Sequence, residues 1–293
     1  MHSLSKDKWN SVTVPSWLDE CIHRLNEDPD YDPKTRNIRL FVLRLFTNEP
    51  VADIVSIWSQ NLIIPVLECC LNDLCLENLG ISYFLKDVIY LFIKSWKVQI
   101  DENISDLISR LFSFLFRSLF TSDVKDLQDN MKYTTTLLKI WCSHPSVNKI
   151  DFQPIFILTS AEEACTGGAH GSVLSKGTES MRKRLTGLQI LITAFENNYS
   201  FLDTNELFLK FSSILTSVLT SIKYNRKEVS DLASYLAGIV LKFLSDKSEI
   251  ETLNKFSYDL NETILSKLAL KDGTELIVSN MKKICLTFPK FLT

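Results

Sequence analysis

Residues 226–243, RKEVSDLASYLAGIVLKF, set the tightest limit on what this chain can fold into. Val229, Leu232, Ala233, Leu236, Ile239, Val240 and Phe243 recur at steps of three and four, which aligns them along one stripe of an α-helix, with Asp231, Ser234 and Lys242 off it. Such a helix is marginal alone and must bury its stripe against a neighbour. Most other periodic segments repeat the pattern at similar length. The expected fold is therefore all-α, a HEAT-like α-solenoid of stacked antiparallel helix pairs.

Length agrees with an array. At 293 residues the chain exceeds what one hydrophobic centre usually serves. With only 8 glycines and 8 prolines it also has few breaks for an all-β fold. The 32 Lys and Arg against 35 Asp and Glu give a formal net charge of −3, whereas a domain that coats nucleic acid needs a strongly basic balance. The opening MHSLSKDKWNS has no apolar signal-peptide region, and the run ISYFLKDVIYLFI is broken by Lys86 and Asp87. No membrane span is expected, and the chain reads as intracellular and soluble.

Along the chain, residues 1–14 and the acidic, proline-bearing stretch 26–33 are expected to be flexible. Pro15 suits the first turn of a helix carrying Trp17, Cys21, Ile22 and Leu25, with Thr13 as its candidate cap. Further helices are expected at 36–46, 51–58, 62–76, 81–96 and 104–120, the last two rich in aromatics and buried on more than one side. Asp123 is a candidate cap for a helix reaching Trp141, and Pro154 opens a short one ending near Thr159. Residues 160–180 hold Gly167, Gly168, Gly171 and Gly177 without an apolar period, and read as a long mobile loop. Helices follow at 181–195, 205–222, 226–243, 250–270 and 275–287. Those two apart in order begin about 45 residues apart, the period of HEAT-type repeats. The domain reading is a first helical block at 1–159, the glycine-rich loop at 160–180 and a second block at 181–293.

No reacting constellation emerges from the residue order. The histidines, His2, His23, His144 and His170, lack the spacing that sets two metal ligands on one helix face. The cysteines, Cys21, Cys69, Cys70, Cys75, Cys142, Cys165 and Cys285, are odd in number and without CxxC pairs, so buried free thiols are expected. CTGGAHGSVLSKGT is no phosphate loop, because Lys176 precedes Gly177 and no strand leads into it. Kinase signatures are absent from the sequence as well. No catalytic, cofactor-binding or metal-binding residue is assigned. The one candidate surface is basic: Arg182, Lys183 and Arg184 with Lys223, Arg226 and Lys227, at helix starts or the turns before them, where successive turns of a solenoid line one edge.

Several ordered strings resemble a known family. Val14-Pro15-Ser16-Trp17, Asn37-Ile38-Arg39-Leu40-Phe41, Trp58 with Pro65 and Leu67, then Trp96, Asn130, Trp141 and Ile155-Phe156 are similar in order and spacing to the middle helical region of the DNA-dependent protein kinase catalytic subunit family. Gly187-Leu188-Gln189, Lys227-Glu228-Val229, Gly238 and Phe288-Pro289 continue the likeness. The resemblance implies a non-catalytic stretch of a HEAT-repeat cradle that lacks the FAT and kinase domains. It further implies that such a stretch is part of a giant nuclear serine/threonine kinase acting with the Ku heterodimer at DNA ends in non-homologous end joining. The partners implied are the remainder of the kinase chain, with Ku and DNA ends at the level of the full complex. A second reading of the same helices is a free-standing solenoid adaptor that binds a peptide or helix of a partner.

Overall fold

A computed structural model describes residues 102–121, 124–141, 150–160, 173–197, 227–269 and 274–292, together with Glu20 and Leu71. Apart from Glu20 and Leu71, which are helical, the helices expected between residues 15 and 96 and at 205–222, the stretches 1–14 and 26–33, and the Asp123 cap lie outside the described residues. Among the described residues the elements are α1 (Glu102–Thr121), α2 (Val124–Trp141), α3 (Gln153–Ser160), α4 (Val173–Glu196), α5 (Lys227–Asp246), α6 (Ile250–Ala269) and α7 (Thr274–Thr287), closed by a 3-10 turn at Pro289–Leu292. No strand occurs among them. The chain divides into two compact units, Met1–Leu115 with His144–Val147, and Phe116–Ser143 with Asn148–Thr293.

The packing follows from side-chain patterns. In α1, Leu107, Ile108, Leu111, Phe112, Phe114, Leu115, Phe116 and Leu119 are buried, far more than a single stripe, as its aromatic content requires. Phe116 meets Phe152, ahead of α3, in a tilted pair with ring centroids 5.2 Å apart. Entry into α3 is set locally: the Gln153 amide donates to Asp151 Oδ1 at 2.9 Å, and Phe156 N bonds Phe152 O at 3.0 Å. Pro154 then sits in the first turn, where an amide would have no intrahelical acceptor.

In the second unit α4 packs against α2, α3 and α5, while α5 also packs against α6 and α7. Surrounded in this way, α5 buries Val229, Ala233, Leu236, Ala237, Val240, Leu241 and Leu244, and it buries Ser230 and Ser234 as completely. Ser234 was expected off the stripe. It is accommodated because its hydroxyl donates back to Ser230 O at 2.7 Å, which satisfies this buried donor. Phe195 of α4 meets Phe243 of α5 edge to face at 5.7 Å.

The turn from α5 to α6 is a complete Schellman motif. Glu249 N bonds Leu244 O at 3.0 Å and Ser248 N bonds Ser245 O at 3.1 Å, with Ser248 itself at φ 59°, in the left-handed region where glycine is usual.

The start of α4 differs from the sequence reading. Residues 173–180, assigned to the loop, are helical and continue without a break into the expected 181–195 segment. Extending an existing helix needs no new nucleus, so VLSKGTES can follow the packed part of α4 despite a penalty of about 1 kcal/mol at Gly177. The rest of the expected loop, 161–172, lies outside the described residues.

Candidate functional site

Of the basic candidates, the structure describes the side chains of Arg182, Lys183 and Arg184. Arg182, Lys183 and Arg184 stand inside α4 rather than at a helix start. Consecutive helical residues point about 100° apart. Arg182 is exposed, whereas Arg184 is buried at 6% exposure. The Lys183 ammonium donates to Phe120 O at 2.9 Å. That carbonyl belongs to the last turn of α1, which has no intrahelical donor for it, so a cation there offsets the helix's negative end. Lys227 is the first residue of α5, while its side chain, together with Lys223 and Arg226, lies outside the described residues.

What the structure does bring together is a polar seam between α5 and α7. Ser230 Oγ donates to Asn280 Oδ1 at 2.6 Å in a fully buried setting. One position further on, Asp231 pairs with Lys283. Gly238 then lies against Thr287. Partner numbers rise together, from 230 with 280 to 238 with 287, so α5 and α7 run in the same direction. A comparable close approach joins α4 to α3, where a Cβ on Gly187 would meet the Thr159 backbone at 3.2–3.3 Å as well as the threonine hydroxyl.

None of these groups is placed for bond making. The Ser230 hydroxyl is committed to an amide oxygen, which cannot act as a base, and no solvent reaches it. The Asp231–Lys283 pair keeps roughly a third of each side chain in water, where such pairs contribute about 0–1 kcal/mol. Tyr235 donates to Glu196 Oε1 at 3.1 Å, and its phenol titrates above the ordinary range, first through burial and then through the hydrogen bond and charge of Glu196. Cys285, half-buried and free, has its thiol pushed up by burial. The other cysteines and all four histidines lie outside the described residues. No cluster of metal-ligating side chains occurs among the described residues, and no described helix is long and apolar enough to cross a membrane.

The sequence reading missed the seam, although a signal was present. Ser230, Ser234 and Gly238 follow one another at four-residue steps, a row of small side chains that lets a second helix approach closely. Asn280, Lys283 and Thr287 repeat at steps of three and four on the facing helix. Comparison with protein-family models, curated proteins and solved structures found no match for this chain.

Proposed function

We propose that this chain is a non-catalytic helical scaffold with a HEAT-like solenoid arrangement. The observation that carries this reading is the second-neighbour packing: α5 meets α7 in parallel although α6 intervenes in the chain, and α4 meets α2 although α3 intervenes. Alternate helices of stacked antiparallel pairs contact one another in that way. Small-angle X-ray scattering tests it. A compact chain of this length has a radius of gyration of about 19 Å, a solenoid distinctly more, and the compact value would refute the arrangement.

The finer proposal is that the scaffold is a segment of a DNA-dependent protein kinase catalytic subunit, working in the nucleus in double-strand break repair by non-homologous end joining. Its support is the order of the strings described above. Two of their residues, Gly187 and Gly238, lie where neighbouring helices approach closely, the kind of position where a scaffold's spacing is set. A transcript that runs on into FAT and kinase coding sequence is the expected result. A transcript ending without them would remove this proposal and leave the adaptor reading. That alternative is favoured by exposed apolar side chains on the last two helices, Tyr258 and Leu265 on α6 and Val278 and Leu286 on α7. In either case the chain itself is expected not to bind ATP, and micromolar binding by calorimetry would overturn the scaffold reading.

A further inference from the structure

We draw no further inference here: the strongest candidate, the exposed apolar side chains Tyr258 and Leu265 on α6 and Val278 and Leu286 on α7, carries nothing because nothing in the structure shows what covers them.

Discussion

Gly238 of α5 faces Thr287 of α7 with no room for a side chain between them: a Cβ on the glycine would lie 2.5 Å from the threonine Cβ and 2.9 Å from its Cγ2. Neither atom is the end of a flexible chain, so only movement of the helices could relieve the clash. Gly238→Ala should therefore destabilise by about 1–3 kcal/mol, although alanine is the better helix former by about 1 kcal/mol. Urea unfolding measures this. Adding Thr287→Gly should recover most of the loss, and an alanine variant as stable as the parent would mean that the helices are further apart.

Leu236 is fully buried on the same helix, which packs against α4, α6 and α7. Leu236→Asp places an unpaired charge there at a cost of several kcal/mol, comparable with the whole stability of an ordinary domain, about 5–15 kcal/mol. Hydrogen exchange should show protection lost along α5 and in the helices packed on it. Unchanged protection would remove Leu236 from the core.

A gain is expected at the α5–α6 turn. Ser248 holds a left-handed conformation that costs a residue with a Cβ about 1–2 kcal/mol, partly offset because glycine is freer in the unfolded chain. Ser248→Gly should raise stability by about 0.5–1 kcal/mol, and Ser248→Val should lower it. Thermal unfolding of both variants gives the comparison, and a destabilising glycine would contradict the assigned turn.

Helix ends were legible where an apolar stripe starts and stops. Expected segments 250–270 and 275–287 correspond to Ile250–Ala269 and Thr274–Thr287, and 104–120 to Glu102–Thr121. The start of α4 was not legible, since residues 173–180 carry a glycine and no apolar period; helix propagates into them from a neighbour. Arg184 illustrates a second limit. A periodicity reading assigns every arginine to the surface, yet its burial depends on what α4 packs against. The Ser230–Asn280 bond joins residues 50 positions apart, and no local pattern encodes a pairing at that distance.

The Lys183 contact can be isolated without emptying the space its stem fills. Lys183→Met keeps most of the aliphatic chain and removes the donor to Phe120 O, leaving a carbonyl at the end of α1 without that partner. A loss of about 1–2 kcal/mol is expected in chemical unfolding. A neutral outcome would assign Lys183 to packing alone.

Alkaline pH should weaken the fold through Tyr235. Its folded pKa is raised, so the neutral phenol is favoured in the native state. The contribution is fully present below the unfolded value of about 10 and is lost as pH rises through the higher folded value. Tyr235→Phe should flatten the alkaline limb of a stability profile. Glu196→Gln should bring the phenol's titration, followed by phenolate absorbance against the Tyr235→Phe background, back toward the ordinary value.

The seam between α5 and α7 also bears on how this chain can change in length. Each residue added within a helix turns everything beyond it by about 100°. One insertion between Ser230 and Gly238 would keep the Asn280 contact and swing the glycine out of phase with Thr287, presenting a bulkier neighbour to α7. The same insertion between Lys247 and Glu249 would disturb the capping bonds of a solvent-exposed turn but leave the phase within α5 unchanged. Related chains that keep this seam should therefore gain and lose residues in the turns between helices, while the interval from Ser230 to Gly238 stays constant in length even where its side chains are replaced.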